Sequence, residues 1–104
     1  MRMMLKVNIP VEAGNAAIQN GTLGTTMEKI LAEIKPEAAY FVADHGMRTG
    51  YIFFDMQDSS QIPMIAEPFF LAFNASISIQ PAMNPADLAK AMGGMEHAVK
   101  SYGK

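Results

Sequence analysis

Asp44, His45 and Arg48 stand within five residues of one another in the run FVADHGMRTGYIFFDM, Phe41 to Met56. No other stretch brings a carboxylate, an imidazole and a guanidinium so close. A carboxylate can orient an imidazole as a general base, and a guanidinium can hold an oxyanion. Two features of the run argue for a turn instead. Gly46 follows Asp44 and His45, and that order suits a hairpin, where glycine tolerates positive φ and aspartate caps the backbone with its own side chain. Neighbouring side chains on an extended chain also point to opposite sides, so adjacency separates Asp44 from His45 rather than joining them. The three residues read as a solvated loop between two strands.

Other candidates reduce to structure in the same way. GNAAIQNGTLG is glycine-rich ahead of a helix, as phosphate cradles are. It lacks both the Lys-Ser/Thr ending of a P-loop and the GxGxxG spacing, and no tight turn leads into it from a strand. Glu96-His97 reads as a solvated helix face. Phe69, Phe70 and Phe73 read as core, with room for one of them to line a pocket. The chain has no cysteine, hence no disulfide, thiolate nucleophile or cysteine metal site. With His45 and His97 as the only imidazoles, no metal site is expected, and no cofactor. Ten methionines suggest an adaptable core or interface.

These residues must be held by elements that the periodicity lays out. Met3, Leu5, Val7 and Ile9 alternate with Met4, Lys6 and Asn8, which marks a half-buried strand closed by Pro10. Val11 to Lys35 is helical, with Leu23, Met27, Ile30, Leu31 and Ile34 on one stripe. Gly14, Gly21 and Gly24 imply one kinked helix or two short ones, and Thr25 with Glu28 is a capping-box pair where a fresh helix could start. Ala38–Ala43 and Gly50–Met56 are strands. Asp58-Ser59-Ser60 caps a helix carrying Ile62, Ile65, Ala66, Phe69 and Phe73, which Pro68 should kink and Asn74 should end. ASISIQP alternates again. Asn84, with Pro85 at the first helical position, opens a last helix. Its stripe Leu88, Met92, Met95, Val99 and Tyr102 continues through Gly93-Gly94.

One domain, residues 1–104, accounts for this length. The order β-α-β-β-α-β plus a C-terminal helix predicts an α+β, ferredoxin-like fold with an antiparallel four-stranded sheet. Two helices cover one sheet face, so the other must meet water or a partner. With half of the residues apolar and 17% charged, a second apolar surface hidden in a homodimer is expected, and the C-terminal stripe is the candidate dimer interface. A net charge of −2 without basic clusters gives no footprint for nucleic acid. No apolar run approaches the roughly 20 residues that span a bilayer, and Lys6 and Asn8 interrupt any signal-peptide core, so a cytoplasmic protein is expected.

If Leu5, Val7, Ile52, Phe54, Ile77 and Ile79 face the helices, parity sends Lys6, Asn8, Tyr51, Phe53, Asp55, Ser76, Ser78 and Gln80 to the second face. Tyr40 and Val42 join them when Phe41 points inward. A face mixing aromatics, hydroxyls, amides and a Lys6/Asp55 pair resembles a ligand lining. Lys6, Asn8, Tyr40, Asp55, Ser78 and Gln80 are therefore the candidate ligand-binding residues, with Asn15 or Arg48 at the rim. Tyr40 would orient an oxygen of the bound molecule, and Asp55 would act as base if burial raised its pKa. The rival reading makes this face a plain interface of a non-catalytic dimeric module.

The element order, the half-amphipathic sheet and the extra C-terminal helix resemble the dimeric α/β-barrel superfamily. The runs IPVEAGNAAIQNGTLG, KPEAAYF, FDM and IAEPFFLAFNA are similar to a group of bacterial single-domain proteins with no established catalytic residues. The resemblance implies two ferredoxin-like chains packed sheet to sheet, with a cleft between each sheet and its helices or inside the barrel. It also implies small-molecule binding, with cofactor-free isomerase or oxygenase chemistry as the catalytic form. Haem-handling members use a histidine ligand, and neither His45 nor His97 lies in a matching motif.

Overall fold

Residues 1–104 are described by a computed structural model. Its first strand, β1 (Arg2–Ile9), buries Met3, Leu5, Val7 and Ile9 and leaves the intervening side chains half-exposed, as the alternation requires. The helical segment that follows is two helices, α1 (Val11–Gln19) and α2 (Leu23–Ile34). Gly21, at φ +71°, makes the break between them. The fresh helix therefore starts before Thr25. The Thr25 hydroxyl donates to the Thr22 carbonyl within the first turn, and no capping box with Glu28 forms.

The strands β2 (Ala38–Asp44) and β3 (Met47–Asp55) join through a two-residue turn at His45 and Gly46, both with positive φ. The turn is as expected, but it is tighter than the loop read from sequence. Arg48 is consequently a strand residue. It pairs with Ala43 and Ile9 on the neighbouring strands and lies on the helix side of the sheet. The side chain of Asp58 accepts the Ser60 amide and opens a 3-10 turn over Ser59–Gln61 that runs into α3 (Ile62–Phe73). Pro68 interrupts the hydrogen-bond ladder of α3 without ending it, and Asn74 closes the helix in the left-handed conformation. Strand β4 (Ser76–Pro81) leads to α4 (Pro85–Lys90), capped by reciprocal bonds between Asn84 and Asp87, and then to α5 (Met92–Tyr102). The α4–α5 break falls at Ala91, ahead of the two glycines.

The sheet order is β2-β3-β1-β4, every pair antiparallel, so the molecule is an α+β fold with a four-stranded antiparallel sheet and five helices. Leu5, Val7, Ile52 and Phe54 from the sheet meet Ile30 of α2 and Ile65, Phe69 and Phe73 of α3 in one core. The C-terminal helices take no part in it. The molecule extends 59 Å along its longest axis against 28 and 21 Å on the others, with a radius of gyration of 17.5 Å. A rounded chain of this length would have a radius near 13 Å. The helices α4 and α5 thus form an arm that projects from the body. Leu88, Met92, Met95, Val99 and Tyr102 are exposed along it, Tyr102 at 84%. No helix is long and apolar enough to cross a membrane.

Candidate functional site

Strand register places the six candidate residues on the sheet face away from α1–α3. One cross-strand row reads Tyr40, Tyr51, Lys6, Ser78; the rows on either side hold Asn8 and Gln80. Asp55 lies at the far end, opposite Arg2. The expected Lys6/Asp55 pair does not form. Lys6 Nζ reaches Asp44 at 2.9 Å, in the row beyond Asn8, and sits 5.7 Å from the centre of the Tyr51 ring. Asp55 instead meets the N-terminal ammonium at 2.6 Å. That ammonium, by hydrogen bond and charge, holds the Asp55 carboxyl below the ordinary carboxylate range, which corrects the expectation of a base raised by burial. His45 Nδ1 lies 2.9 Å from the same Asp44, against the expectation that adjacency would separate the two side chains, since His45 is a turn residue of positive φ and not part of an extended strand; its ring is almost wholly in solvent.

Hydrogen bonding to Lys6 likewise holds the Asp44 carboxyl below its ordinary value of 3.8 and raises the Lys6 ammonium above 10.5. A depressed carboxylate stabilises the fold above its unfolded pKa and loses that contribution as pH falls through the folded one. Lys6, being raised, loses its contribution only as pH climbs past 10.5. Thermal melts taken from pH 6 downward should therefore show stability falling below about pH 4. Asp44→Asn should make that acid limb shallower, with the part due to Asp55 remaining; an unchanged limb would mean the pair contributes nothing.

Of the six candidate residues only Asp55 lines one of four cavities, a polar one of about 500 Å³ shared with Arg2, Glu37 and Asp87; Lys6, Asn8, Tyr40, Ser78 and Gln80 line none of the four. Concavity lies on the other side of the sheet, where α1 and α2 cover β1 and β3 but stop short of the edge strand β2. The result is a cleft of about 570 Å³ lined mainly by Ile9, Ile18, Leu23, Met27, Phe41 and Arg48. Phe41 points inward, as parity requires, yet is 55% exposed because nothing lies over it. Glycine at position 50 admits its ring: a Cβ there would stand 3.2 Å from Phe41 Cε1. Glycine at position 14 does the same for Arg48, whose Nη1 would lie 2.6 Å from a Cβ. The guanidinium crosses α1 at that point and donates to Asn15 Oδ1 at 3.1 Å.

The two rim residues named from sequence, Asn15 and Arg48, are thus hydrogen-bonded to each other, on the opposite side of the sheet from the six. Phe69, Phe70 and Phe73 do not line this cleft, and Phe70 is partly exposed. What sequence reasoning missed was the coverage of the sheet. Parity gives the side of Phe41 but not how far the helices extend over it. Gly50, standing opposite Phe41, was the available signal. The cleft offers an apolar wall and one cation, and no group of three or more His, Asp or Glu side chains is placed to hold a metal.

No family model matches the sequence, and no curated protein does. Among solved structures the chain is similar to a formyltetrahydrofolate deformylase from Pseudomonas putida KT2440, with a TM-score of 0.50 at 14% identity. The match covers 99% of this chain and 39% of the deformylase, so the chain spans about two-fifths of that enzyme's length. At that identity the likeness is one of fold: a small α/β domain on a four-stranded antiparallel sheet.

Proposed function

We propose that this chain is a homodimeric, ferredoxin-like protein that binds a small, largely apolar organic molecule in the cleft beneath α1 and α2. The observation that carries this reading is the cleft itself. Its volume of about 570 Å³ is in the range of small-molecule sites. Its wall is aliphatic and aromatic, and its one charged group is pre-positioned by Asn15. A guanidinium has five donor N–H groups in a planar fork, and Asn15 takes one. The rest can hold a carbonyl or carboxylate oxygen while the apolar part of the ligand packs on Met27 and Phe41. The sheet order, with β1 and β2 flanking β3, supports the ferredoxin-like class. The open face, with Tyr40 and Val42 exposed beside Lys6 and Ser78, suits the sheet-to-sheet contact of a dimeric barrel. In such a dimer Lys6, Asn8, Tyr40, Asp55, Ser78 and Gln80 line the space between two sheets, as a second ligand surface or as interface.

The test uses anilinonaphthalene sulfonate, an apolar ring system bearing one anion. Fluorescence titration should show one site per chain. Met27→Trp, which fills the cleft, should abolish it, and Arg48→Met should weaken it roughly tenfold through loss of a charged hydrogen bond. Titrations unchanged in both variants would remove the cleft as the site. A catalytic role, in the cofactor-free isomerase or oxygenase sense, would require turnover that follows the same two substitutions.

A further inference from the structure

We infer that the α4–α5 arm of one chain docks along the edge strand β2 of a second copy and covers the mouth of its cleft, with Glu96 of the arm against Arg48 of the other chain. This rests on the homodimer proposed above and not on the ligand. The arm carries an apolar stripe that its own body leaves bare, and Met92, Met95 and Val99 share one face of α5 with Glu96 and Lys100. The cleft mouth is the matching surface. Ile18 and Phe41 are exposed there around a guanidinium that has no carboxylate within ion-pairing distance. Glu96 is without an ion pair in the same sense, although Lys100 stands one turn along on the same face, so the arm can supply the carboxylate that the cleft mouth lacks.

The topology argues that the match is made between chains. The arm leaves the sheet after Pro81, which pairs with Met3 at one end of β1, whereas the cleft lies at the other end, at Ile9. Those ends are roughly 20 Å apart at the rise of a strand. Two sheets stacked face to face about a twofold axis parallel to their strands bring β4 of one chain over β2 of the other. The eighteen residues of Pro85–Tyr102 span about 27 Å as helix, enough to run along the whole of β2. Each copy then gives one arm and receives one, which closes the dimer.

Charge reversal tests this. Glu96→Arg lies on the free arm and leaves the core untouched; Arg48→Glu is its complement, checked for folding by circular dichroism. Native mass spectrometry across a dilution series should show each variant alone dissociating at roughly tenfold lower dilution than the parent, because like charges then meet twice per dimer. Mixing the two single variants should restore a heterodimer of parental affinity, since both contacts then join opposite charges. Variants that dimerise as the parent does would overturn the docking while leaving the homodimer standing. Recovery in the double variant R48E/E96R but not in the mixture would place the contact within one chain and overturn it equally. A parent that is monomeric throughout would overturn the homodimer and this inference together.

Discussion

Phe69→Ala should cost about 4 kcal/mol of folding stability and lower the melting temperature by roughly 20 °C. Phe69 is fully buried in the middle of α3, within the one core that the sheet and the neighbouring helices share. Truncation removes the ring's transfer free energy and leaves a cavity between two layers that strand pairing holds apart. A chain of this length has a total stability on the order of 5–15 kcal/mol, so one such loss is a large fraction of it. Leu71→Ala on the same helix is the control. Leu71 is 80% exposed, two residues along and on the opposite face, and its loss should stay within about 0.5 kcal/mol. Chemical denaturation of the two variants measures the contrast. A similar cost for both would mean that α3 packs through a different face.

That contrast was legible in the sequence because Ile62, Ile65, Ala66, Phe69 and Phe73 fall at helical spacing while Leu71 does not, although Ile62, at the start of the helix, stays exposed. The same held for β1, whose alternation gave both its burial and its parity. It held also for the caps Asp58, Asn74 and Asn84, whose side chains or backbone conformation answer a local need. Local chemistry of this kind is written into a few adjacent residues. The pairing of Lys6 was not, because the choice between Asp44 and Asp55 depends on where the strands end and on the ammonium that takes Asp55 first. The position of Arg48 was half-legible. Its hairpin was plain, but the loop read over residues 44–49 would have left it in solvent instead of in β3. The cleft was the least legible feature. It exists because two short helices broken at Gly21 do not reach the edge strand, and helix reach is a property of the packed layers. What the sequence did contain was the pair of glycines, Gly14 and Gly50, at which the side chains of Arg48 and Phe41 come to rest.

Removing residues after Gly93 should dissociate the proposed dimer and leave the folded body intact. Met95, Val99 and Tyr102 go with the deleted segment, and in the single chain they touch nothing of the core, so the core loses no packing. If each side chain contributes about 1 kcal/mol on docking and two arms dock per dimer, the loss is about 6 kcal/mol. After allowance for the side-chain ordering that docking costs, dimer affinity should fall by at least two orders of magnitude. Two observables separate this from general destabilisation. The full chain's melting temperature should rise with protein concentration, as mass action requires for a dimer, whereas that of the truncated chain should not. The two should converge as the full chain is diluted towards its dissociation constant. A truncated protein that still elutes as a dimer at micromolar concentration would assign the interface to the open sheet face alone, with Tyr40 and Val42 at its centre. A lower melting temperature at every concentration, infinite dilution included, would instead show that the arm packs on its own body.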